Sequence, residues 1–250
     1  MKLFAIADLH MDGGAGKPMD VFGSHWADHC GRIFGLWREL VSGEDTVLIP
    51  GDISWAMHFC DALPDLFAIS ELPGNKVLLR GNHDYWWSSL TRMRAALPES
   101  IKLIQNDACD IGPAVIAGSR GWLLPESPDS SSDDKRIYER ELIRLELSLT
   151  AAKRITEQNG AVKPVIAMLH FPPVLREGRG TGFTKLLEEY GVSRCLYGHL
   201  HGSQAWDVGF QGELNGIKYD LCSADSLGFI PKLIEKFEED DEGTISACVK

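Results

Sequence analysis

Residues 76–84 read KVLLRGNHD: a short apolar run closes on Arg80 and Gly81, and an amide, an imidazole and a carboxylate follow in succession as Asn82, His83 and Asp84. Four other runs end in the same way. KLFAIA leads into Asp8, TVLI into Gly51 and Asp52, PVIAML into His170, and RCLY into the GHLH of Gly198, His199, Leu200 and His201. Apolar runs of four to six residues without alternation suit strands buried on both faces. Helical patterns lie between them over residues 27–41, 60–72, 87–97 and 184–190. Strand–helix alternation predicts an α/β sheet that binds ligands at the carboxyl ends of its strands, which is where the polar clusters fall.

After Leu97 the texture changes. IKLI, AVIAGS, AWDVGF and IKYDLCS read as strands joined by Gly, Asn and Pro turns, which adds β-sheet packed on β-sheet. The expectation is two sheets with helices outside, in a single domain over residues 1–250. Residues 125–136 read as a loop, and a long helix runs from there to about Gln158, with Tyr138, Leu142, Leu145, Leu149 and Ala152 on one stripe. The stripe marks a helix packed on the body, and a lid formed by residues 125–158 is the alternative.

Composition narrows the function. The chain has 250 residues, is 44% hydrophobic and 24% charged, and holds no apolar stretch near eighteen residues, so no membrane span is expected. Its opening, MKLFAIADLH, reaches Asp8 too soon for a secretory signal and reads as a first strand. Six scattered cysteines without a CxxC pattern fit reduced thiols in the cytoplasm. The net charge of −11 disfavours nonspecific nucleic-acid binding, which draws on Lys and Arg. Part of the acid sits in EKFEEDDEG, Glu235 to Gly243, read as a solvated turn or edge.

The strand-end clusters together hold five of the eight histidines. Asp and His converging on one sheet edge are costly to bury unless a cation binds them. Imidazoles, carboxylates and an amide oxygen without thiolate suit manganese, iron or zinc rather than a structural zinc. In DLH and HLH the paired side chains are two apart, so on an extended backbone both reach one centre.

The order DxH, GD, GNH, H, GHxH, spanning Asp8 to His201, resembles the calcineurin-like metallophosphoesterases. The resemblance implies a four-layer α/β/β/α sandwich, two mixed β-sheets flanked by helices, around a dinuclear metal centre. Position by position it gives Asp8, His10, Asp52 and His201 to one metal and Asp52, Asn82, His170 and His199 to the other, with Asp52 shared. His83 takes the catalytic position. Two divalent ions, manganese first, with iron, zinc or nickel as alternatives, would then sit roughly 3.5–4 Å apart and bring the pKa of a bridging water toward ~7. The resulting hydroxide would cleave a phosphate mono- or diester of a small molecule or nucleotide. A protein-binding scaffold with a relict metal site is the alternative.

The protein serine/threonine phosphatase branch carries GDxVDRG, whereas here GDISWA places Trp55 and Ala56 at the acid and arginine positions. The carboxylate that orients the histidine of that branch is therefore missing. Arg80 and Arg120 read first as ion-pair residues and second as substrate contacts. Trp55, Tyr85, Trp86, Trp87 and Trp122 fall in or after strand-end loops, open between ordinary packing and stacking on a substrate ring. Asp225 and Ser226 follow a strand and suggest loop support near the site.

Overall fold

The computed structural model describes residues 1–14, 16–128, 130–158, 163–239 and 245–247. Twelve strands among them form two sheets. The first has the order β12-β11-β1-β2-β3-β4 and is built from β1 (Lys2–Ala5), β2 (Thr46–Pro50), β3 (Asn75–Leu79), β4 (Ile101–Ile104), β11 (Lys232–Glu239) and β12 (Ile245–Ala247). The second has the order β5-β6-β7-β8-β10-β9. Its strands are β5 (Cys109–Asp110), β6 (Val115–Ser119), β7 (Val165–Leu169), β8 (Arg194–Tyr197), β9 (Gly212–Leu214) and β10 (Ile217–Leu221). β1 to β4 run parallel, as do β6, β7, β8 and β10, while the outer strands are antiparallel, so both sheets are mixed.

The layering follows from the alternation of side chains along each strand. Phe4, Val47, Ile49, Leu78 and Leu103 pack outward against α1 (His29–Leu40), α2 (Phe59–Ser70) and α3 (Leu90–Ala96) through Trp37, Leu66 and Met93. Their neighbours Leu3, Ala5, Leu48, Val77 and Ile104 face Ile116, Ile166, Met168 and Leu196 of the second sheet. On that sheet Val115, Ala117, Ala167 and Cys195 face α4 (Ser132–Gln158) and α5 (Gly182–Glu189) through Leu145, Leu149 and Leu187. Three cores therefore separate four layers, helix, sheet, sheet and helix. Lys76 stands inside β3 and is fully buried, because its Nζ donates to the carbonyls of Ser70 and Leu72 at the end of α2.

Three local readings need correction. AWDVGF is not a strand: α6 (Ser203–Trp206) turns there, and Trp206 and Phe210, four apart, pack on the second helical core while the Tyr197 hydroxyl donates to the Phe210 carbonyl at 2.7 Å. The long helix begins at Ser132, inside the expected loop, because Ser131 Oγ accepts from the Asp134 amide and the Asp134 carboxylate accepts from the Ser131 amide at 2.9 Å. Residues 235–239 belong to β11, an inner strand held by Ile234 and Phe237 in the sheet–sheet core, and Asp240 to Gly243 lie outside the described residues.

α4 is packed on the body by Tyr138, Leu145, Leu149 and Ala152. Among the described residues no helix is long and apolar enough to cross a membrane. Cys195 and Cys222 are buried, Cys30 and Cys109 half-buried and Cys60 exposed, all as free thiols, and Cys248 lies outside the described residues.

Candidate metal centre

The ends of β1, β2 and β3 meet the ends of β7 and β8 where the two sheets join. A bridge from Ala7 to Ser223 links the sheets there, and the Asp8 amide donates to the Gly51 carbonyl at 2.9 Å, the His10 amide to the Asp52 carbonyl at 3.0 Å. All seven candidate ligands come together on this edge. Asp52 Oδ2 lies 3.9 Å from His10 Nε2 and 3.3 Å from His170 Nε2. Asn82 Oδ1 lies 2.7 Å from His170 Nε2 and 3.0 Å from His199 Nδ1. His201 Nε2 lies 3.2 Å from His10 Nε2 and 3.5 Å from Asp8 Oδ1.

Two sets of donors are close enough together to hold an ion each: Asp8, His10 and His201, and Asp8, Asp52 and His170. Both carboxylates stand between sets, and the histidine tautomers separate them. His170 Nδ1 is engaged at 2.9 Å by the Pro50 carbonyl, so the ring carries its proton there. Asp8 approaches that committed nitrogen at 3.9 Å, while Asp52 approaches the free one. Asp8 also accepts from the His199 amide at 3.0 Å. Asp8 belongs to both sets, and Asp52 Oδ2 stands within 4 Å of His10 in the first and of His170 in the second.

The local backbone is bent to make this convergence. Asp8, His10, Asp52 and His199 have φ of 61°, 43°, 52° and 73°, a left-handed region that β-carbon-bearing residues seldom enter. Each such residue costs on the order of 1–3 kcal/mol, and this kind of strain gathers at functional sites. Two glycines give the room. A β-carbon on Gly81 would collide with the Asp52 carboxylate and amide, and one on Gly198 would come within 2.5 Å of Asp8 Oδ2.

Electrostatics match a cation site. Burial holds His10 down to about 4 and His199 down to about 3, so both rings are neutral donors at pH 7. Burial also disfavours charge at His201 and His170, but Asp8 and Asp225 outweigh it for the first and Asp52 and Asp8 for the second, raising them to about 10 and about 9. The same histidines keep Asp8 and Asp52 below the ordinary carboxylate range in spite of burial. With Nδ1 committed, His170 turns its other nitrogen toward two acceptor oxygens, and His10 and His201 bring two ring nitrogens face to face. Such an arrangement needs protons or cations between its atoms, and buried carboxylates, imidazoles and an amide oxygen are ligands for divalent first-row ions.

A second layer of residues sets these ligands, and sequence reasoning identified it only in part. Asp225 Oδ1 lies 3.1 Å from His201 Nδ1, and its other oxygen accepts from the Gly202 amide at 2.9 Å. A carboxylate paired to one ring nitrogen fixes the direction of the other, the way metal-binding histidines are held. His29 Nε2 meets the Leu9 carbonyl at 2.9 Å and steadies the turn between Asp8 and His10. Asp84 is fully buried and accepts from the amides of Gly81, Asp52, Ile53 and Ser54 and from Trp86 Nε1. Burial and the nearby Asp52 charge push its carboxyl up to about 6, against the pull of those amides.

His83 is oriented without a carboxylate. Its amide donates to Asp52 Oδ1 at 2.8 Å, its ring packs 4.5 Å from Trp55, and its buried Nδ1 has no hydrogen-bond partner among the described residues. Trp55, at the position where the GDxVDRG motif has an acid, also stacks on His10 at 4.8 Å and 20°. The other aromatics divide. Trp86 and Trp87 are core residues, Tyr85 is exposed, and Trp122 packs 5.0 Å from Phe171, which lies against His199. Arg120 pairs with Glu141 at 3.4 Å and lies 4.2 Å over Trp122. Arg80 lines a small separate pocket with Arg120, Glu141 and Arg144.

Two recesses adjoin the cluster. The first, of about 290 Å³, is walled by Met19, Phe22, Trp26 and Trp55 and reaches His10, His83 and His201. The second, of about 390 Å³, is walled by Trp122, Leu124, Phe171, Val174 and Val208 and reaches His199.

The sequence model of the calcineurin-like phosphoesterases matches residues 1–203. The chain belongs to that family. This calcineurin-like phosphoesterase has no significant match among curated proteins. Two solved structures align with it at low identity. A protein of unknown function from Aquifex aeolicus aligns at 16% identity and a TM-score of 0.47, covering 93% of this chain and 95% of that one. A mutant cold-active protein tyrosine phosphatase aligns at 13% identity and a TM-score of 0.38, covering 98% of this chain and 80% of that one.

Proposed function

We propose that this calcineurin-like phosphoesterase is a dinuclear metal-dependent phosphohydrolase acting on phosphate esters of small molecules or nucleotides. One observation carries the reading: a single oxygen of Asp52 stands within 4 Å of His10 and of His170, histidines of two different donor sets. On this reading Asp8, His10, Asp52 and His201 hold one ion, and Asp52, Asn82, His170 and His199 hold the other. Two divalent cations bound there supply positive charge to the phosphate oxygens and acidify an attacking water.

The chain's own residues do the rest. Asp52 keeps the two donor sets together, and Asp225 holds the His201 ring so that Nε2 points inward. His83 lines the recess beside His10 and His201, where its ring stabilises charge on the departing oxygen or gives it a proton. Trp55 packs on both His10 and His83 and excludes water from that side. The donor set accepts manganese and other first-row ions. Trp55 and Ala56 in place of the acid and arginine support a small substrate over a phosphoprotein. Free thiols at five cysteines support a reducing, cytoplasmic setting.

The test is hydrolysis of p-nitrophenyl phosphate and its bis ester with manganese, nickel or zinc. Parent protein turns over at least one of them, and His83→Ala loses about 10²–10⁴ in rate with metal still bound, the span of a general acid. No turnover of either ester by metal-loaded parent protein contradicts the reading.

A further inference from the structure

We infer that the substrate is a phosphodiester carrying two organic arms, with the leaving arm in the first recess and the retained arm in the second. The inference rests on the hydrolase reading above and names the class of ester for that site. A phosphomonoester has one carbon substituent and fills one recess. Here two recesses with no residue in common open onto the same cluster, one touching His10, His83 and His201 and the other touching His199.

Each recess has the size and lining of a small-molecule subsite. Their volumes of about 290 and 390 Å³ lie near the lower end of the ~300–1,000 Å³ typical of ligand pockets, room for one ring-bearing group apiece. Phe22 is 65% exposed at the wall of the first, an aromatic ring with most of its surface open to an arm seated there. In the second, Phe171 lies against His199 with ring centres 4.0 Å apart, so an arm seated there leaves its phosphate beside the cluster.

Charge supports the same class. Among the described residues no Lys or Arg lines the first recess, and in the second Arg176 is accompanied by Glu126 and Glu177. Two of the three arginines of the neighbouring pocket, Arg120 and Arg144, pair with Glu141. A diester carries a single negative charge and two apolar substituents, which these walls match.

The chemistry balances as hydrolysis. Water supplies the oxygen that bonds to phosphorus. The bond from phosphorus to the oxygen of the first-recess arm breaks with its electron pair staying on that oxygen, which takes up a proton. The products are an alcohol released from the first recess and a phosphomonoester held in the second.

Three esters with the same p-nitrophenolate leaving group test this: p-nitrophenyl phosphate, methyl p-nitrophenyl phosphate and thymidine 5′-(p-nitrophenyl phosphate), each with manganese. The nucleoside diester is expected to exceed the methyl diester in kcat/KM by about 10-fold or more, the discrimination that apolar contacts of one group supply. That ratio falls toward one in Leu175→Ala, on the second wall, with Val208→Ala reading the same wall should the first variant fail to fold. Equal kcat/KM for the two diesters, or a monoester that exceeds both, overturns the inference and leaves the hydrolase reading standing. No turnover of any of the three by metal-loaded protein overturns both.

Discussion

Asp84 Oδ2 accepts from the backbone amide of Asp52 at 2.9 Å, so the carboxylate next to His83 builds the turn that presents the Asp52 side chain. The Asp84 side chain turns to the loop after β2. Five N–H groups end on it.

Asp84→Asn removes one acceptor oxygen and puts an amide donor against backbone donors. Each buried group left unsatisfied costs about 1–3 kcal/mol, so the variant is expected to lose about 2–4 kcal/mol. Urea unfolding of metal-free protein measures this. A variant as stable as the parent contradicts the role given to Asp84.

Asp225 acts through His201 rather than on any ion. Asp225→Ala frees the His201 ring, and loss of such an outer partner typically costs about 10–100-fold in metal affinity. Competition with a chelating dye reads the affinity directly. Unchanged affinity in a folded variant places Asp225 outside the centre's support.

Glu141 is buried on α4, where its Oε1 lies 3.4 Å from Arg120 and 2.6 Å from Arg144. Removing one partner of a buried pair leaves the other charge uncompensated, so Glu141→Gln is expected to cost about 3–5 kcal/mol. The Arg120 carbonyl also accepts from the His170 amide at 3.0 Å, which ties this pair to a candidate ligand. A urea midpoint equal to the parent's contradicts the assignment.

Asp45 gives a pH signature remote from the metal ligands. Burial works to raise its carboxyl, but the Ser42 hydroxyl and amide and the Lys2 amide outweigh it and hold it below the usual 3.8. The unfolded chain then binds the proton more readily, so this stabilisation is complete above about pH 4 and is lost as pH falls through the lower folded value. Asp45→Asn is expected to cost about 1–3 kcal/mol at pH 7. That difference shrinks in acid, and a gap independent of pH contradicts the account.

Sequence legibility follows the range of the interaction. Apolar runs ending in Asp, His or Asn disclosed the inner strands, the helices between them and the seven side chains that gather at the sheet edge, because strand burial and side-chain chemistry are written locally. AWDVGF was misread because short apolar spacing fits a strand and a helical turn equally, and only the packing of Trp206 and Phe210 on the second core decides. Asp84 and Asp225 were seen but not understood, since their partners lie 32 and 24 residues away in the chain. Trp86 illustrates the limit for aromatics: it is 1% exposed, so an alanine there costs about 3–5 kcal/mol and reports packing rather than ring stacking.

The proposed sharing of Asp52 between two ions is tested most directly by counting them. Metal-free protein titrated with manganese, and read by elemental analysis after gel filtration, is expected to retain two ions per chain, with Asp52→Asn weakening both sites together. A chain that binds one ion, or an Asp52→Asn variant that loses one site and keeps the other at parent affinity, contradicts a centre built on that carboxylate.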